Sequence, residues 1–162
     1  MSGAQKFLRQ INNPFKVRLF LLSKLPSAYF AGVRVLFADE EKCVVTVPYK
    51  WFSKNPFKST YFACMSMAAE MSTGVLAMVH LYQREPAVSM LVTRVLGDFN
   101  KKAVSRSSFT CEDGGRIREA IEEAVASGQG KMITARSIGR NPAGEIVAQF
   151  EITWSFKVKN RT

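Results

Sequence analysis

The sequence predicts an α+β fold in which one long, nearly uncharged helix is wrapped by a curved antiparallel sheet of about six strands. Three observations predict it. The stretch from Ser59 to Gln83 is apolar all round and carries only Glu70 and His80 as acidic or basic side chains. The stretch from Ile146 to Lys159 alternates with period two, Ile146, Ala148, Phe150, Ile152, Trp154, Phe156 and Val158 facing one way and Gln149, Glu151, Thr153, Ser155, Lys157 and Lys159 the other, which is a strand with one buried face. Further β-rich runs flank the helix, separated by turn residues. A helix that is apolar on all sides cannot stand alone in water, and a sheet must cover it.

The elements follow in order. Asn13 to Leu25 mixes basic and apolar residues at helical spacing, with Val17, Phe20, Leu21 and Leu25 on one stripe, until Pro26 interrupts it. Ser27 to Ala31 adds a short turn before Gly32. Val33, Val35 and Phe37 alternate with Arg34 and stop at the turn Asp39-Glu40-Glu41, and Cys43, Val45 and Val47 alternate with Thr46 and stop at Pro48, so the two runs form a hairpin. Tyr49 to Lys58 is a loop, and Ser59 or Thr60 is placed to cap the long helix, which runs to about Tyr82. Ser89 to Asp98, Ser105 to Cys111 and Lys131 to Ser137 read as strands. Between the last two lies an amphipathic helix with Ile117, Ala120, Ile121, Ala124 and Val125 on one stripe and Gly128 as its stop. Asn141-Pro142-Ala143-Gly144 is a turn. The organisation is a helical segment at 1–32 that packs on a core domain at 33–162.

Composition narrows the function classes. The 162 residues are 47% hydrophobic and 22% charged, and twelve Phe, four Tyr and two Trp supply bulk for one core. Cys43, Cys64 and Cys111 are odd in number and widely spaced, with no metal-ligand spacing, so three reduced thiols, a reducing cytoplasm and no metal site are expected. The charges at Lys6, Arg9, Lys16 and Arg18 interrupt any secretory signal, and Glu70 with its small polar neighbours argues against a membrane span. The net charge is +10, and residues 1–60 hold ten Lys/Arg against three Asp/Glu. That balance suits an anionic partner: nucleic acid, an acidic membrane surface or a phosphorylated small molecule. Nucleic acid is disfavoured, because there is no aromatic RNA-binding strand motif, no GXXG clamp and no dense basic run.

Two residues carry the candidate chemistry. An ionised carboxylate inside an apolar helix is costly unless it is paired or solvated, so Glu70 is either a structural ion-pair member or a site residue with a raised pKa. Asn55, in Lys54-Asn55-Pro56-Phe57, is either a turn opener or a site amide. His80 lies about 15 Å along the helix from Glu70, too far to pair with it, and reads as structural. No GxSxG, Walker or GxGxxG motif occurs.

The runs Pro48-Tyr49-Lys50-Trp51, Lys54-Asn55-Pro56-Phe57, Ser59-Thr60-Tyr61-Phe62-Ala63 and Ala68-Ala69-Glu70-Met71-Ser72-Thr73-Gly74 resemble the DUF4442 family of hot-dog-fold, thioesterase-like bacterial proteins, and the resemblance extends from about Pro14 to Lys159. In related phenylacetyl-CoA-type thioesterases an Asn precedes the central helix and an acidic residue follows fifteen positions later, the spacing of Asn55 and Glu70. The resemblance implies an acyl-CoA thioesterase: Glu70 as general base or nucleophile, Asn55 orienting water or carbonyl, and the backbone N–H groups of Phe62 and Ala63 holding the oxyanion. It implies substrate contacts from Tyr61, Thr73, Lys54 and Lys58, with Lys50 a further candidate for coenzyme A phosphates. Coenzyme A enters as part of the substrate, an acyl-carrier thioester is the other option, and no separate cofactor is implied. A homodimer or tetramer is expected, its sheets joined edge to edge through Ser89 to Gly97, with Glu70 buried against Met67, Met71 and the opposing subunit. The family's relatives open the helix with His-Gly-Gly, whereas this chain has Tyr61-Phe62-Ala63. The backbone N–H survives, but side chains crowd the spot where glycine admits a ligand. A non-catalytic hot-dog module that binds acyl groups or lipid, or stabilises an assembly, is therefore the alternative. A dehydratase would need its His at the loop or helix start, and His80 is elsewhere.

Overall fold

The computed structural model describes residues 1–159. Twelve elements are seen among them: α1 (Gly3–Ile11), α2 (Pro14–Lys24), α3 (Pro26–Ala31), β1 (Arg34–Ala38), β2 (Cys43–Val47), a 3-10 turn (Trp51–Ser53), α4 (Phe62–Leu81), β3 (Val88–Phe99), β4 (Ser107–Cys111), α5 (Gly114–Ser127), β5 (Lys131–Arg140) and β6 (Ile146–Val158). The strands form one six-stranded antiparallel sheet in the order β1-β2-β4-β5-β6-β3. The long helix α4 packs against β1, β2, β4, β5 and β6.

Helix α4 is the one helix among the described residues long and apolar enough to cross a membrane. Here it is the core helix: Ala68, Ala69, Leu76 and Ala77 are fully buried. Its buried hydroxyls are satisfied locally, as a helix in an apolar setting requires. Ser72 Oγ donates to the Ala69 carbonyl and shares a 2.8 Å hydrogen bond with Ser137 of β5. Strand β6 keeps its expected alternation, with Ala148, Phe150, Ile152, Trp154 and Phe156 buried. Helix α5 buries Ile117, Ile121 and Ala124 and ends at Gly128, whose φ of 65° is left-handed.

Four expectations change. The long helix is capped neither by Ser59 nor by Thr60. Ser59 is bonded to Asn55, Thr60 Oγ1 donates to the Ala103 carbonyl, and the cap is Tyr61 with no side-chain bond. The alternation Val33, Val35, Phe37 fails at a bulge between Val35 and Phe37. The extra residue turns Phe37 outward, at 46% exposure, and buries Ala38 instead. Strand β5 runs three residues past Ser137, to Arg140, and pairs there with the start of β6. Finally, an unexpected helix, α1, precedes the Asn13 segment. Its capping box joins Ser2 and Gln5, and the Asn12 side chain exchanges two hydrogen bonds with the Ala38 backbone, pinning the α1–α2 corner to β1.

Candidate functional site

Helices α1 and α2 lie over the C-terminal part of α4, and between them is a cavity of about 400 Å³, the size range of small-ligand pockets. Helix α4 contributes Glu70, Met71, Gly74, Val75 and Met78, residues spaced three and four apart that share one face, and Tyr82 just past its end adds to them. Helix α1 contributes Phe7, Gln10 and Ile11, and α2 contributes Lys16, Val17, Phe20 and Leu21, with Leu25 just past its end. The sheet closes it with Val35, Met90 and Trp154. The α2 stripe read from the sequence therefore faces this cavity.

Glu70 is the only carboxylate in the lining. None of the seven ion pairs among the described residues includes it, and its carboxylate makes no hydrogen bond among them. Burial pushes its pKa up from the ordinary carboxylate value. The ion-pair reading of Glu70 thus has no partner to support it, and the carboxylate instead faces an apolar space.

Its immediate surroundings are built to hold that position. Thr73 is fully buried, donates to the Glu70 carbonyl at 2.9 Å and accepts the Trp154 indole N–H at 2.9 Å. Gly74 sits under the same indole: a Cβ there would lie 3.3 Å from Trp154 and 3.5 Å from a Glu70 carboxylate oxygen. The missing side chain leaves room for both groups. Thr73 thus positions the turn that carries Glu70, with its hydroxyl used twice.

The other candidates gather around the start of α4. Asn55 Oδ1 accepts from the amides of Phe57 and Ser59, and its Nδ2 donates to Ser59 Oγ at 3.0 Å. Its amide organises the loop, with one Nδ2 hydrogen left over among the described residues. Lys54 bridges to Thr60, and Lys50, Lys54 and Lys58 are all exposed. The amides of Phe62 and Ala63, the first two of α4, have no acceptor among the described residues, as expected at a helix start. The rings of Tyr61 and Phe62 meet edge to face at 4.9 Å, and Phe62 stands 6.5 Å from Phe99 of β3. Phe62 precedes Glu70 by eight residues, about 12 Å along the helix axis. One chain therefore does not bring the helix start and Glu70 to a common reacting atom, and Asn55 is not among the residues lining the Glu70 cavity.

No protein-family model matches the chain, and no curated protein matches its sequence. Solved structures do match. A Pseudomonas aeruginosa protein of unknown function, termed a probable thioesterase, superposes with a TM-score of 0.76 at 18% identity, over 90% of this chain and 97% of that one. A Chlorobaculum tepidum protein of unknown function gives 0.73 at 17% identity, over 91% and 97%. A Haemophilus influenzae thioesterase gives 0.63 at 11% identity, over 86% and 88%. The chain has the hot-dog fold. At these identities the likeness establishes architecture, and the chemistry has to be argued from the residues.

Sequence reasoning missed the cavity's outer wall. Phe7, Gln10 and Ile11 of α1 were available only through the Ser2–Gln5 capping signature.

Proposed function

We propose that the protein hydrolyses an acyl thioester, with Glu70 as general base and the acyl chain in the apolar cavity. The carrying observation is Glu70 itself, a carboxylate that is unpaired among the described residues and faces a largely apolar space of about 400 Å³. A raised pKa brings a carboxylate nearer to the value at which it takes a proton from water most effectively near neutral pH. The free amides of Phe62 and Ala63, at the positive end of the α4 dipole, suit the oxyanion that forms when water attacks the thioester carbonyl. The leaving thiolate departs with coenzyme A or an acyl carrier. Asn55 holds the loop leading to those amides, and its spare Nδ2 hydrogen is available to orient water or the carbonyl. Lys54 and Lys58 supply exposed cations for a phosphorylated carrier, and the Tyr61 ring stands beside Phe62 at the helix start.

The 12 Å between helix start and Glu70 gives the reading a structural requirement. A homodimer, in which the base of one copy faces the helix start of another, meets it. Edge strand β3 is suited to that pairing, with Leu91, Val95, Leu96 and Phe99 exposed. The test is thiol release from acyl-CoAs of graded chain length. Wild-type protein hydrolyses a subset of them, and Glu70→Gln is slower by about 10²–10⁴-fold. Charge reversal at Lys54 and Lys58 raises KM more than it lowers kcat. The Tyr61 and Phe62 rings at the helix start favour the second reading, a module that binds acyl groups without cleaving them. Tight acyl binding with no turnover across the whole panel selects that reading.

A further inference from the structure

Helix α2 is apolar on two sides. Val17 and Leu21 are buried, but Phe15, Leu19 and Leu22, spaced as one stripe, are 78%, 59% and 45% exposed. Helix α2 packs on α3 and α3 on the 3-10 turn, and these carry a second exposed group: the Phe30 ring lies 6.0 Å from Phe52, itself 6.1 Å from the 83%-exposed Trp51. Scattered exposed apolar residues are ordinary, but a contiguous run of large ones marks a contact surface. Cations lie around it: Lys24 and Lys50 are exposed, Lys16 stands where α2 meets the Glu70 cavity, and Arg18 lies over the Tyr29 ring. Residues 14–31 and 48–58 contain no Asp or Glu. None of the four cations takes part in an ion pair among the described residues.

We infer that the α2–α3 face, with Trp51 and Phe52, docks on the surface of an anionic phospholipid bilayer. Basic residues among Phe, Leu and Trp are what an interfacial surface needs: apolar groups enter the headgroup boundary while cations meet lipid phosphates. A second copy of the chain is the poorer occupant, because a two-fold contact through this face sets the same cations against themselves with no carboxylate to offset them. The inner side of α2 lines the Glu70 cavity, so docking places that cavity beside the acyl region of the membrane. The docking itself stands whether or not Glu70 is a base.

The experiment mixes the full chain with phosphatidylcholine vesicles, with and without phosphatidylglycerol, and follows sedimentation and tryptophan emission. Trp154 is 4% exposed, so Trp51 reports the contact. The expected result is partition at least about tenfold stronger into the anionic vesicles, weakened by salt, with a blue shift of emission. Leu19→Gln with Leu22→Gln lowers that partition by about tenfold or more and leaves the thermal melt unchanged, since both side chains are exposed. Absence of partition into anionic vesicles overturns the inference, as does equal partition by the double variant. A lower mass for the double variant in light scattering assigns the face to self-association and overturns it as well.

Discussion

Glu70 sits where burial leaves a carboxylate poorly solvated, and none of the ion pairs among the described residues includes it. Replacing it with Gln keeps the shape and removes the charge. Because the side chain opens on the cavity, the gain at neutral pH is at most about 1 kcal/mol, seen as an unchanged or slightly higher Tm. The pH dependence is more telling. The folded protein holds the Glu70 proton to higher pH than the unfolded chain does. Its contribution to stability is therefore greatest in acid and is lost as pH rises from the ordinary value of 4.5 through the raised one. His80 has the opposite sign: burial lowers its pKa from 6.5, so the folded state loses stability as pH falls below that value. Melts from pH 4 to 7 should show the Glu70 slope vanish in Glu70→Gln while the His80 slope persists. A variant that melts well below wild type would mean that Glu70 has a structural partner after all.

Helix α4 and strand β6 were legible in the sequence because each repeats one period without interruption, and packing then agrees with pattern. The bulge in β1 was not, because one inserted residue inverts the facing of Phe37 and Ala38 without changing composition. The cap of α4 was missed for a related reason. Ser59 and Thr60 both carry capping hydroxyls, but Asn55 and the Ala103 carbonyl compete for them. Glycine use at the start of α5 gives a test of element packing. A Cβ at Gly114 would run into the backbone of Glu40 and Glu41, whereas at Gly115 it meets only the end of the Glu41 side chain, at 3.0 Å. Gly114→Ala should cost about 1–3 kcal/mol by chemical denaturation, and Gly115→Ala should be neutral or stabilising by up to about 1 kcal/mol.

At the scale of the molecule, the candidate residues lie in two places. Glu70 faces the cavity under α1 and α2, while Asn55, Lys54, Lys58 and the free amides surround the start of α4. The spacing of Asn55 and Glu70 was readable in the chain, but the distance between their surroundings was not, since it depends on how the helix lies in the fold. Strand β3 was expected to be covered, and within one chain it is the open edge of the sheet. Leu91→Lys with Val95→Lys should convert a dimer to monomers in light scattering and abolish hydrolysis together, with the fold retained by circular dichroism. Glu70 as the base is tested most directly by the pH–rate profile of thioester hydrolysis for wild type and Glu70→Gln. The expected result is a wild-type acid limb above the ordinary carboxylate value of 4.5, and a variant about 10²–10⁴-fold slower in which that limb is gone. A variant that hydrolyses the thioester at the wild-type rate with the same limb would contradict it.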